Sequence, residues 1–428
     1  MRNRAERVRR ATGAVKVDSG APPAPRKTES VDCDGPRTIS PARIVPSLGH
    51  IPELDGLRGV AVLLVVEYHV VLGRVHTLST GLDLFFILSG FLITTLLAEE
   101  HDRHGRVSLP DFFRRRGLRL LPALFAYIAA NLLMALAGHA GVPTLEGVWD
   151  LRTVTVESAA AVFYIYPALL AVWPNTAALR MPHLHSLGQE EWFYAFWAPT
   201  FARMMRRDRV RRGITIVIVV LAVIALARLL GVIDANPALV GPLRPDMMFL
   251  GAVIALGRRR YLTLATPQLD RLRRRVGIAS ALGTAGFAVS IAAGGLEGRR
   301  VAIAVVTATK LFAVFPIMLV LVAAPSHPLR RALRASWLQW FGRVSYGLYL
   351  WHSTVLFWVN GGAERVPGTE EIIQHRPTWL LHLAGFGGGT ALAWLSFRLI
   401  EARFIAMGRR NQEDTRTSKR SALPIQLP

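Results

Sequence analysis

Two neighbouring apolar stretches carry polar groups that lipid disfavours. Leu54–Val70 holds Arg58, Glu67 and His69, and the segment after it holds Asp83, Ser89 and Gly90. Ionisable residues inside membrane-length segments are costly and mark functional sites by default. His69 is open to two readings: a buried histidine satisfied by a neighbouring helix, or a neutral imidazole serving as a general base. Arg58 precedes it by eleven residues. On an α-helix that interval returns to the same face within ~20° and separates the two side chains by ~16 Å along the axis. Glu67 lies about 200° around from His69 and does not face it. Ser89-Gly90 is a small pair that lets another helix approach closely, and Asp83 stands where a helix cap is expected.

Three further clusters carry chemistry. In Arg114–Pro122 the sequence RRRGLRLLP puts Arg115 and Arg116 on one helical face with Arg119. Guanidinium forks suit phosphate recognition, so a phosphate-rich cytoplasmic ligand is a natural expectation there. His183–Trp197 (HLHSLGQEEWFYAFW) crowds two histidines, a glutamine and two carboxylates into one segment. Its spacing fits no usual helical metal-ligand pattern, so no metal is expected. Outer interfacial residues plus one buried carboxylate, Glu190, is the reading retained. Finally Ser345, Tyr346, Tyr349 and His352 fall three or four apart and largely share a face. The aromatics fit an interfacial belt, and the added histidine favours a polar lining.

The elements that must position these groups are membrane helices. The 428 residues are 52% hydrophobic with mean hydropathy +0.33, and windows of about 20 mostly apolar residues recur, each enough to cross a ~30 Å hydrocarbon core. The alternation of a β-barrel is absent. The expected fold class is all-α, a polytopic transmembrane bundle. Net charge is +22, but the basic residues cluster between apolar segments, which is the cytoplasmic-loop pattern rather than a nucleic-acid footprint. One cysteine, Cys33, excludes a disulfide framework or a thiolate metal site. Residues 1–50 are rich in Arg, Pro and Ser with no apolar run, and 406–428 look similar; both read as disordered cytoplasmic tails around a domain at 51–405. Eleven apolar segments fall between them. Placing the basic clusters at 103–119, 203–212, 258–275 and 330–334 in the cytoplasm requires that one segment in 118–202 not span; 154–173 is the weakest. About ten spans with cytoplasmic N- and C-termini result. No internal repeat is evident, which weighs against an inverted-repeat transporter. A glycan or lipid exporter, with polar groups lining a path and no chemistry, is the alternative.

Taken together the motifs resemble the membrane acyltransferase family 3, over roughly residues 51–405. The resemblance rests on Leu57-Arg58-Gly59 through Tyr68-His69, Phe85–Phe91 (FFILSGF), Arg116-x-x-Arg119, Arg244-Pro245, and Ser345-Tyr346 through Tyr349-Leu350-Trp351-His352. The family's Trp-Ser-Leu-x-x-Glu reads His185-Ser186-Leu187-Gly188-Gln189-Glu190 here, and the usually apolar position before Tyr68 is Glu67. The resemblance implies a multi-pass enzyme of the bacterial cell membrane that transfers an acyl group, commonly acetyl, from cytoplasmic acyl-CoA to a hydroxyl. The acceptor would be a cell-surface glycan, a glycolipid or a glycosylated small molecule. It implies acyl-CoA as co-substrate with no bound cofactor, and no nucleic-acid partner. Arg116 and Arg119, with Ser89 and Gly90, would hold the donor. His69 would act as general base, with Arg58 and Glu190 completing the catalytic set; Arg58 is also suited to the donor phosphates. Asp83, Ser186, Arg244, Ser345, Tyr346, Tyr349 and His352 would line the pocket.

Overall fold

In the computed structural model, the structure describes residues 48–72, 75–142, 145, 150–172, 180–207, 209–230, 246–261, 263–292, 312–324, 326–361 and 374–407. Residues 1–47 and 408–428, most of the two expected tails, lie outside them, as does Arg244. The described residues are helical with no strand. The helices are α1 (Pro52–Val70), α2 (Thr80–His104), α3 (Leu109–His139), α4 (Leu151–Val162), α5 (Tyr166–Val172), α6 (His185–Arg206), α7 (Val210–Leu229), α8 (Asp246–Tyr261), α9 (Thr266–Ala292), α10 (Phe312–Val322), α11 (Pro328–Leu333), α12 (Ser336–Asn360) and α13 (Thr378–Met407).

Local chemistry sets several ends. Pro52 opens α1, where its missing N–H has no intrahelical partner to lose, and Glu53 and Asp55 complement the positive helix start. Asp150 caps α4 by accepting from the Thr153 N–H at 2.7 Å. Gly105 after α2 and Gly361 after α12 take φ +67° and +86°, the left-handed conformation that closes a helix C-terminus.

Among the described residues five helices are long and apolar enough to cross a membrane: Thr77–His104, Leu109–His139, Val210–Ala227, Thr266–Ala292 and Thr378–Met407. Helices α1, α6 and α12 have 19, 22 and 25 residues; they carry the polar site groups, so apolarity alone does not mark them. On α7, Ile216, Val219, Val223 and Leu226 are exposed, as expected of a lipid-facing surface. The stretch 154–173 forms α4 and α5, of 12 and 7 residues, parted at Tyr164 with φ +56°. At ~1.5 Å per residue neither reaches across a ~30 Å core.

Close backbone approach holds the site-bearing helices together. A Cβ on Gly59 of α1 would overlap the Leu338 carbonyl of α12, and one on Gly342 of α12 would overlap the Asp55 carbonyl of α1. A Cβ on Gly90 of α2 would overlap the Met248 carbonyl, and one on Gly251 of α8 the Ile87 carbonyl. Gly90 therefore serves helix packing. Arginines of three of the four basic clusters, 103–119, 258–275 and 330–334, are tied by carboxylates at one end of the bundle. Glu99 of α2 pairs with Arg103 at 3.0 Å and Arg258 at 3.7 Å, and accepts from the Leu48 N–H. Glu100 pairs with Arg115 at 3.1 Å. Glu53, fully buried, pairs with Arg330 and Arg334, each at 2.8 Å.

Candidate functional site

A cavity of about 510 Å³ opens at the basic end, beside Leu48, Glu99 and Arg103, and runs inward between α1, α2, α3, α6 and α12. Its polar wall carries Arg58, Ser89, Arg116, Arg119, Ser186, Glu190, Ser345, Tyr346 and Tyr349. These are among the residues singled out in the sequence; Tyr194, also on the wall, is not. Asp83, Gly90, His69 and His352 are not on this wall. Asp83 lies within the first turn of α2 rather than capping it, since the cap position is Ser79.

The arginines divide by their partners. Arg116 is fully engaged: its Nε donates to Glu191 Oε1 at 2.7 Å, its Nη2 lies 3.2 Å from Glu190 Oε1, and its guanidinium stacks 3.5 Å over the Tyr194 ring. Glu190 Oε1 also accepts from Ser89 Oγ at 2.6 Å and from Tyr194 OH. These are the partners of Glu190 among the described residues, and no histidine is one of them. The carboxylate knits α2, α3 and α6 together. Arg58 donates Nη2 to Ser345 Oγ at 3.2 Å, linking α1 to α12. Arg119 is exposed on the cavity wall, has no hydrogen-bond or ion-pair partner among the described residues, and lies among the like charges of Arg58 and Arg116. Arg115, on the same face in sequence, is spent on Glu100. Among the described residues on this wall, Arg58 has only a neutral hydroxyl partner and Arg119 has none, so these two cations, Arg119 foremost, carry charge not balanced by a paired carboxylate.

At the inner end of the cavity Tyr346 OH donates to the Leu120 carbonyl at 3.0 Å. Tyr349 OH donates to the His183 carbonyl and lies 2.7 Å from Ser186 Oγ. One helical turn beyond Tyr349 stands His352, fully buried. Its Nε2 lies 3.3 Å from His69 Nδ1, with ring centroids 4.8 Å apart. Each histidine also reaches back along its own helix: His69 Nδ1 is 2.8 Å from the Val65 carbonyl and His352 Nδ1 is 2.9 Å from the Leu348 carbonyl. A carbonyl oxygen only accepts, so both Nδ1 atoms carry the proton. The Nδ1–H of His69 is shared between Val65 O and His352 Nε2, and Nε2 of His69 holds the lone pair, the arrangement a general base requires.

Four residues that shape this region are not among the expected site residues, although His183 and Glu191 lie in the polar segment His183–Trp197 noted in the sequence. His183 packs edge-on to His352, ring centroids 5.5 Å apart. Glu191 and Tyr194 engage Arg116. Glu157 of α4, fully buried, accepts from Tyr166 OH and from the backbone N–H groups of Arg180 and Met181 at 2.9 and 3.1 Å. A lone carboxylate in an apolar stretch was the available signal for Glu157. Glu67, turned away from His69 as its helical phase requires, meets His382 Nε2 of α13 at 3.3 Å.

Fold and site together define a multi-pass helical membrane protein whose arginine-lined cavity ends one helical turn from a pair of bonded histidines. Residues 51–398 match the acyltransferase domain family, the acyltransferase family 3 suggested by the motifs, and the chain belongs to it. It is 27% identical over 321 residues to "O-acetyltransferase OatA" of Staphylococcus aureus (strain NCTC 8325 / PS 47), covering 73% of this chain and 51% of that protein. It is 28% identical over 324 residues to "Putative O-acetyltransferase SACOL0978" of Staphylococcus aureus (strain COL), again over 73% and 51%. The chain spans about half the length of the curated relatives it matches. No solved structure matches it.

Proposed function

We propose that this protein is a membrane O-acyltransferase that moves an acyl group, acetyl in the first instance, from cytoplasmic acyl-CoA to a hydroxyl of a cell-surface glycan, glycolipid or glycosylated small molecule. The observation that carries the reading is a cavity with Arg58, Arg116 and Arg119 together on its wall, entered from the basic end of the bundle and ending one turn of α12 from the His69–His352 pair. Membership of the acyltransferase domain family and the names of the relatives support it. In this reading the protein spans the bacterial cytoplasmic membrane about ten times with both termini in the cytoplasm. The gathering of arginines from three basic clusters at one end supports that orientation under the positive-inside rule.

The chemistry follows from the residues. Arg119 holds a donor phosphate, and Arg58 supports the arm of the donor through its place on the wall. The acceptor hydroxyl gives its proton to His69 Nε2 as its oxygen bonds to the thioester carbonyl carbon. The C–S bond then breaks, and the leaving thiolate takes the proton back from His69. His352 Nε2 accepts the Nδ1–H of His69 and so stabilises the imidazolium formed midway. The test is incubation of membranes carrying the protein with labelled acetyl-CoA, comparing wild type with His69→Ala. Label should enter glycan or lipid only with wild type, while the variant still inserts. Equal incorporation by the two would remove His69 from the base role, and no incorporation by wild type would remove the activity.

A further inference from the structure

His183 is a polar group of this region that the reaction above leaves unused. The residue is 4% exposed, and among the described residues no hydrogen bond of full geometry reaches either ring nitrogen, the nearest group being the Leu350 backbone. The other two imidazoles are each locked by a bond to a carbonyl of their own helix. The backbone of His183, by contrast, is held with unusual care. Its carbonyl accepts from Tyr349 OH and from Ser186 Oγ at 3.3 Å. Two and three residues earlier, the Met181 and Arg180 N–H groups are fixed by the buried Glu157. The ring is set edge-on to Tyr127 at 6.0 Å, Tyr349 at 5.4 Å and His352 at 5.5 Å between centroids. A buried imidazole without a partner is unfavourable. The fold anchors the backbone at both ends and buries the ring with its nitrogens unmatched among the described residues, so a polar group brought by a bound molecule would relieve that cost.

We propose that His183 is a further substrate-contacting residue, whose ring nitrogen takes a hydrogen bond from a hydroxyl of the acceptor and so sets that molecule against His69. The acceptor is favoured over the donor by position: His183 belongs with His352 and His69, and is absent from the wall of the arginine-lined cavity. Nearness of the Leu350 carbonyl favours the proton on one nitrogen and leaves the other to accept, which suits a hydroxyl. With His69 receiving the proton of the reacting hydroxyl, a neighbouring hydroxyl of the same molecule reaches His183, so the residue selects polyhydroxylated acceptors. No covalent step passes through it. The inference rests on the acyl-transfer reading.

The test uses the full chain in native membranes with labelled acetyl-CoA, and the purified protein for release of CoA thiol to water. His183→Phe keeps the ring volume and removes both nitrogens; His183→Gln restores a polar group. We expect His183→Phe to transfer label about ten- to a hundredfold more slowly, the loss of one or two hydrogen bonds. The KM for acetyl-CoA, thiol release to water and the unfolding midpoint should be unchanged, and His183→Gln should recover part of the transfer. Transfer by His183→Phe at the wild-type rate overturns the assignment. So does a matching rise in acetyl-CoA KM, or a lowered unfolding midpoint with no recovery in His183→Gln, which would make the residue a donor or a packing group. Wild-type transfer in the same membranes checks the underlying reading separately: if it is present and the variants match it, only the role of His183 falls.

Discussion

Arg116 and Arg119 share a helical face, yet their surroundings assign them opposite work, and replacing each by alanine separates the two. Arg116→Ala removes the partner of Glu190 and Glu191 together, at N–O distances of 3.2 and 2.7 Å. Breaking a buried ion pair from one side costs about 3–5 kcal/mol, because a charge is left behind in the protein. The side chains here are 14–23% exposed, toward the cavity, so the low end, about 3 kcal/mol, applies. Arg119→Ala removes a cation with no partner among the described residues and with like charges beside it, so stability should hold or rise slightly. Its loss should appear in donor binding instead. A hydrogen bond to a charged group contributes about 1.5–3 kcal/mol, equivalent to a roughly 10- to 100-fold rise in the KM for acetyl-CoA. Unfolding of the two variants in detergent, read alongside initial rates against acetyl-CoA concentration, makes the comparison. An Arg116→Ala protein as stable as wild type, or an Arg119→Ala protein with unchanged KM, would refute the division.

Three other outcomes are expected. Gly90→Ala forces α2 away from the backbone of α8 at Met248 and should cost about 1–3 kcal/mol; Gly257→Ala, with nothing within 4 Å of its Cβ, is the control and should not destabilise. Asp150→Ala should cost about 1 kcal/mol through loss of the α4 cap. The Thr153 hydroxyl and then the Thr153 amide hold the Asp150 carboxyl below its usual range, so its stabilisation is present above about pH 4 and fades as pH falls through the lower folded value; the gap in unfolding midpoint between the two proteins should therefore close in acid, and a constant gap would count against the cap. Glu67→Leu breaks the pair with His382, whose side chains are 33% and 40% exposed, and should change stability by less than about 1 kcal/mol without loss of transfer; loss of transfer would give Glu67 a catalytic role.

Much of the molecule is legible in the chain alone. Apolar windows of membrane length, basic clusters between them and small residues at single positions are local signals, and local physics reads them: solvent preference sets the helices, and the 100° phase of a helix puts Arg58 and His69 on one face and Glu67 on another. The same phase groups Ser345, Tyr349 and His352. Charge parity also singles out 154–173, which forms two short helices. What the phase of a single helix cannot give is the partner across the interface. That Ser89 and Arg116 converge on Glu190, that Arg119 has no counter-ion among the described residues, that His352 accepts from His69, and that His183 is buried beside them with its ring nitrogens unmatched there depend on how α1, α2, α3, α6 and α12 pack. The sequence supplied the polar groups and the face of each helix on which they stand. The tertiary structure decided which of them satisfy one another and which are left to meet a substrate, because burial makes hydrogen-bond partnership a property of the assembled bundle rather than of any one segment.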